Sequence, residues 1–373
     1  MLTALLLAGA SLAAPSCAGL ANHVDHTFTN GARWQACFTE DADIGIVWSE
    51  VTYTPAGGAE LVVLGQLNLA EMHISYDDNS SDFFDVSKIG LGGVNLTDLT
   101  PDDCPGGTLI NSAGKDVLCR IEEERGLAWK LRAAQAIGEE LVLYYDSQLN
   151  HYNFLVAVSL ADDGGIELSV GATGELAKYT GNPLYGWPVD NAGTMASSHA
   201  HNLWWRLDFD LGGSADDVVE QLEFGNSGAR KRPMTITAVP TEASASFAPD
   251  RFRFWRVRDS VLTNADGHAM SYDVVPGAEV IYRGPVATEP WTVADLYVTE
   301  DRACERFIQG NISAGCATGL TTYLSGEVLT DPVLWIVNSF HHVPRDEDEP
   351  EMPVHWMTLE LEPRDWHDVN PIP

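Results

Sequence analysis

The sequence predicts an all-β protein built as a large β-sandwich. Short runs of branched and aromatic residues recur along the 373-residue chain. The 33 glycines and 19 prolines fall mostly between these runs, where turns need them. Helical periodicity shows only briefly, near residues 215–222. The length permits a substantial core, and no internal repeat or low-complexity linker divides the chain.

The elements follow in order. Residues 1–14, MLTALLLAGASLAA, form a short apolar stretch ending in small residues and read as a signal peptide. The stretch is too short to span a bilayer as a helix, and no later segment is long and apolar enough, so no membrane span is expected. Residues 15–373 are then expected to be one domain. Strands are expected at 60–69, within 141–160, and at 165–171, 251–257, 332–337 and 357–361. Asp162-Asp163-Gly164-Gly165 supplies a hairpin turn.

Six cysteines beside a signal peptide favour disulfides, because an oxidising compartment lets them form and persist. Proximity suggests Cys17 with Cys37 and Cys304 with Cys316, although spacing alone does not fix connectivity. Sequons at Asn79, Asn95 and Asn311 permit glycosylation of a secreted chain. The formal net charge of −33 argues against nucleic-acid binding, which requires basic patches to meet phosphates. It also provides a field that steers cations toward the surface.

Chemistry concentrates in two histidine pairs, His199-Ala200-His201 and His341-His342. On a strand, alternate residues share a face, so His199 and His201 project together and can share one ion. A third imidazole from another strand completes a set suited to copper, zinc, iron or nickel, with positions left open for reaction. Downstream on the same run, Asp208 and Asp210 fall on the opposite face and suit a hard cation such as calcium.

These residues carry a family resemblance. HAHNLWWRLDFDLGG, residues 199–213, resembles the HQHxFxxRLDxDxDG segment of copper-containing, topaquinone-dependent amine oxidases. Residues 331–353 resemble that family's DxVxWxxxGxTHxPRxEDWPxMP, in a register that selects His342 as the third copper ligand. Residues 82–107 resemble FDxGEYGLGxxxxxLxxGxDCPG, and residues 226–232 also match. The matches run in family order from about Trp34 to Pro371.

The resemblance implies roles residue by residue. Tyr152 is the implied precursor of topaquinone, with Gln148, His151 and Asn153 standing where the motif has threonine, asparagine and an acid. His151 takes the position that orients the quinone ring. Tyr145, which precedes an acid as the motif requires, is the alternative, with ordinary strand packing as its blander reading. Asp85 matches the base that removes the substrate α-proton, with Lys88 where the motif has glutamate. Tyr76, in AEMHISYDD, matches a tyrosine that hydrogen-bonds a quinone oxygen. The side chains of Asp208, Asp210 and Asp331, with the backbone oxygens of Phe209 and Pro332, match a peripheral calcium position. Cys104 is implied to pair with Cys119. The loop from Arg345 to Glu349 reads as solvated.

The implied activity is a secreted copper- and topaquinone-dependent oxidation of a primary amine by O2 and water to aldehyde, ammonia and hydrogen peroxide. A copper-binding homologue without oxidase activity is the alternative, favoured by the altered residues around Tyr152. The family's smaller N-terminal α/β domains are expected to be absent. Homodimerisation is a family expectation, with the hairpin arms trimmed near residues 132–139 and 272–283.

Overall fold

The computed structural model describes residues 14–78, 80, 83–225, 232–275, 286, 288–311 and 315–373. Most of the signal-peptide stretch, Asn79, Asp82, most of the 226–232 match and part of the 272–283 arm lie outside the described residues.

Two large antiparallel sheets account for the fold, one of nine strands and one of ten among the described residues. In the first, Leu61–Tyr76, His199–Phe209 and Pro332–His342 are successive neighbours. In the second, Met352–Arg364, Ile166–Gly174, Tyr152–Ala161, Ala134–Leu149 and Lys115–Leu131 run side by side. The main core lies between them, joining Leu203, Trp205 and Leu207 of the first sheet to Phe154, Val156, Leu168 and Leu359 of the second. A second apolar cluster, with Trp204, Trp291, Tyr297 and Trp335, covers the other side of the first sheet. The His199–Phe209 strand is therefore buried on both faces, which is why it reads as an apolar run.

Every expected strand is present, most of them longer than the sequence pattern implied, but the one expected at 251–257 begins only at Phe254, after a 3-10 turn at Pro249–Arg251. Residues 60–69 belong to a strand that continues to Tyr76, and residues 332–337 to one that continues to His342. Polar residues at those far ends, including the histidines, hid the continuation. Residues 215–222 are a correction: they form the strand Asp217–Phe224, not a helix. β-Branched Val218 and Val219, and hydrogen-bonded strands on both sides, override the local helical spacing.

All six cysteines pair, as Cys17–Cys37, Cys104–Cys119 and Cys304–Cys316. Asn311 is buried and donates both amide hydrogens to backbone carbonyls, of Cys304 and Ala317. No helix among the described residues is long and apolar enough to cross a membrane.

Candidate active site

Antiparallel pairing assembles the histidines. His199 lies directly opposite His342 on one neighbouring strand and opposite Tyr76 on the other. Directly opposed residues share a sheet face, so His199, His201, His342 and Tyr76 all project toward the second sheet. One ligand nitrogen from each of His199, His201 and His342 lies within 4.8 Å of the others. His341, paired with Ala200, points the other way and meets Asp77 at 2.7 Å.

Hydrogen bonds at the outer nitrogens of His199 and His342 turn their other nitrogens inward. His199 Nδ1 is 3.1 Å from the Ser197 carbonyl, which turns Nε2 inward. His342 Nε2 is 2.9 Å from Asp348 Oδ2, which leaves Nδ1 facing His199 Nε2 at 3.4 Å. Neither ring nitrogen of the buried His201 has a hydrogen-bond partner. An imidazole buried without a partner is costly, and a metal ion is the partner this arrangement accommodates. Burial, then the neighbouring His342, push His199 down to about 3, and burial likewise lowers His201, so both are neutral ligands at physiological pH. The residues therefore fit copper. Asp348 orients His342 much as an outer carboxylate orients a ligand imidazole.

Arg345, Asp346 and Glu347 are exposed, as a solvated loop requires, and Asp348 is the correction to that reading. Asp348 is completely buried and also accepts the Arg345 backbone N–H at 2.9 Å. His355, whose ring lies 4.8 Å from that of His342 and whose Nε2 lies 3.6 Å from Asp348 Oδ1, was likewise not singled out. Both residues become visible only when the loop folds back under His342.

Tyr152 enters from the second sheet. A two-residue turn, Asn150-His151, joins Ala134–Leu149 to Tyr152–Ala161, with Asn150 at a φ of 56°. Tyr152 is thus the first residue of its strand, and its hydroxyl lies 3.2 Å from His199 Nε2. Burial raises its pKa, keeping it a phenol. His151 sits at the rim, mostly exposed, 3.6 Å from Glu175. Asn153 faces away and donates to Asp146 Oδ2 at 2.7 Å, so its difference from the motif falls outside the site. Tyr145 packs its ring against Gly45, the structural role.

Tyr152 lines a cavity of about 290 Å³ with Ile74, Tyr76, Phe83, Phe154 and Asp85. Asp85 opens a single π-type turn, Asp85–Ile89, closed by the Gly90 N–H to the Asp85 carbonyl. The segment that closes the turn is pressed against residues 41–43: a Cβ at Gly90 would lie 2.8 Å from the Ala42 carbonyl oxygen, and one at Gly92 would overlap that of Asp41. Asp85 is buried, its Oδ2 has no partner, and burial raises its pKa to about 7. A carboxylate so placed has the basicity of a general base working near neutral pH. Lys88, in the glutamate position of the motif, is exposed. The Tyr76 ring lies 4.8 Å from that of His199, and burial raises its hydroxyl to about 12.

The other end of the histidine strand carries the carboxylates. Oxygens of Asp208, Asp210 and Asp331 lie within 4.8 Å of one another, and Asp208 Oδ1 and Asp331 Oδ1 are buried without partners. Gly65 makes room for them, since a Cβ there would lie 2.2 Å from Asp210 Oδ2. Phe209 and Pro332 adjoin these carboxylates in the chain, and the Phe209 side chain packs in the core.

The model of the copper amine oxidase enzyme domain matches residues 23–373. The chain belongs to the copper amine oxidase family. Among curated relatives, the primary amine oxidase of Arthrobacter sp. (strain P1) is 26% identical over 356 residues, covering 84% of this chain and 55% of that protein. That of Klebsiella aerogenes is 25% identical over 398 residues, covering 91% and 52%. The chain thus spans about half the length of the curated relatives it matches. The structure of a copper-containing benzylamine oxidase from Hansenula polymorpha shares the fold with a TM-score of 0.78 at 21% identity, covering 94% of this chain and 62% of that one.

Proposed function

We propose that this chain is the catalytic domain of a secreted copper-dependent primary-amine oxidase whose quinone derives from Tyr152. The observation that carries the reading is the Tyr152 hydroxyl, 3.2 Å from a copper-ligand nitrogen and lining one cavity with Asp85. His199, His201 and His342 would hold copper. When present, copper and the quinone supply the electron sink and the chemistry with O2. The protein's part is to bind the amine's carbon chain against Ile74, Phe83 and Phe154, to accept its α-proton on Asp85, and to exclude water. Tyr76 is assigned to hold a quinone oxygen, and His151 to close the rim beside it.

Peptide mass spectrometry after copper loading in air and phenylhydrazine trapping tests the reading. A phenylhydrazone on the Tyr152 peptide is the expected result; an unmodified Tyr152 in fully copper-loaded protein would favour a non-oxidase homologue.

Three disulfides support passage through an oxidising compartment. The hairpin of Lys115–Leu131 and Ala134–Leu149 exposes Leu127, Leu131 and Ile137, which supports association of two copies through this arm.

The proposal includes calcium at Asp208, Asp210 and Asp331, with backbone oxygens of Phe209 and Pro332. Burial, then the neighbouring carboxylates, raise Asp210 to about 7 and Asp331 to about 6. Unfolded aspartates ionise near about 4, so between these values the folded state holds more protons and stability falls as pH rises. Calorimetry of EDTA-treated protein is expected to show a Tm lower at about pH 8 than at about pH 5, with calcium restoring it at the higher pH. A calcium-insensitive Tm at pH 8 would remove calcium from the proposal.

A further inference from the structure

Glu71 is a carboxyl group with no part in the reading so far, and it is completely buried on the Leu61–Tyr76 strand. It is opposite Trp204, and the pairing from there to Tyr76 is regular, so strand alternation directs Glu71 to the sheet face away from Ile74 and Tyr76, three and five residues on. From there it grips the turn that carries Asp85. Its Oε1 accepts the backbone N–H of Val86 at 3.3 Å and of Met72 at 3.1 Å, and its Oε2 accepts the Ser87 hydroxyl at 2.8 Å. Asp85 itself has one carboxylate oxygen with no partner, so its position is set by the backbone of that turn rather than by its own hydrogen bonds. The turn is short: Glu71 accepts from two residues at its start, while Asn95 donates to the carbonyls of Ile89 and Gly90 at its far end.

We propose that Glu71 is the positioning residue for Asp85, fixing the turn from behind so that the base meets the substrate α-carbon. This rests on Asp85 being the base. Burial, and to a lesser degree Asp85, raise Glu71 to about 8, so it holds a proton at neutral pH and Asp85 alone carries charge. The groups facing Asp85 are Tyr76 from the same strand as Glu71, His201 across the cavity, and His151 and Tyr152 from the second sheet, with Lys88 on the turn itself. None of these replaces Glu71 as the acceptor for the turn. An isosteric neutral side chain therefore preserves function, while a truncated one releases the turn, admits water beside Asp85 and lowers its pKa toward the ordinary carboxylate range.

The test uses full-length, copper-loaded protein with benzylamine as the probe, comparing Glu71→Ala, Glu71→Gln, Ser87→Ala and Asp85→Asn. Each variant is first titrated with phenylhydrazine, so that rates are per quinone. Glu71→Ala is expected to lower kcat about 10- to 100-fold with KM little changed. It should also enlarge the isotope effect with α-dideuterated benzylamine and move the acid limb of the kcat/KM profile to lower pH. Glu71→Gln is expected to restore the rate and the wild-type limb. A purely structural role would lower stability or quinone content but leave the isotope effect and the limb unchanged; that result overturns the proposal. If Glu71→Ala does not fold, Ser87→Ala decides: a smaller shift in the same direction supports the proposal and a wild-type profile overturns it. Asp85→Asn separates the two readings. Wild-type turnover there would remove Asp85 as base and this inference with it, whereas a dead Asp85→Asn beside an unperturbed Glu71→Ala would remove only the role of Glu71.

Discussion

Tyr152→Phe is expected to abolish amine-dependent peroxide release while leaving copper binding intact. The hydroxyl it removes is the oxygen that stands 3.2 Å from His199 Nε2, and the phenylalanine ring keeps the same stacking on Phe154, 5.7 Å away and nearly parallel. The loss should therefore be chemical and not structural. The hydroxyl's hydrogen bond is a modest contribution to folding, on the order of 1 kcal/mol, whereas the chemistry depends on it entirely. Two measurements check this: copper content, expected to match the wild type, and the phenylhydrazone of the Tyr152 peptide, expected to vanish. Turnover retained in Tyr152→Phe would transfer the precursor role to another tyrosine. Tyr145, packed against Gly45, is placed for no such role.

Asp85→Asn is expected to leave the quinone formed and suppress turnover. General base catalysis contributes between about 100- and 10,000-fold, and the amide cannot accept the α-proton. Because Asn is nearly isosteric and Asp85 Oδ2 already lacks a partner, folding and phenylhydrazine reactivity should survive. The wild type adds a pH signature. Burial places Asp85 at about 7, and only its ionised form is a base, so kcat/KM is expected to fall about tenfold per unit as pH drops below that value. Steady-state profiles of the wild type beside single-turnover rates of Asp85→Asn check both claims. An Asp85→Asn variant at the wild-type rate would mean that another group takes the proton.

The residues most legible in the sequence were those whose spacing and strand period already dictated a shared face. His199 and His201 needed only the two-residue alternation of a strand, and the structure confirms their convergence. Asp208 and Asp210 at the other end of that strand were legible for the same reason, whereas Asp331, ahead of the neighbouring strand, came from the family resemblance. The strand ends were less legible, because polar functional residues such as Tyr76 and His342 interrupt the apolar pattern that marks a strand. The segment at Asp217–Phe224 shows the opposite failure: its spacing suited a helix, and neighbouring strands recruited it into a sheet.

What the sequence determined by itself was the all-β class, the shared face of His199 and His201 through their strand spacing, and, through its motifs, the family. What only the tertiary structure decided was how the second sheet is laid over the first. That packing sets Tyr152 beside His199, the loop after His342 folds Asp348 beneath it, and the chain folding back after Tyr76 brings the turn of Asp85 against Glu71. These partners stand 47, 6 and 15 residues apart in the chain. None shares a repeat or a spacing that local periodicity can register. Burial is what gives them their chemistry, since it leaves imidazoles neutral and a carboxylate basic, and burial is a property of packed layers rather than of any residue alone.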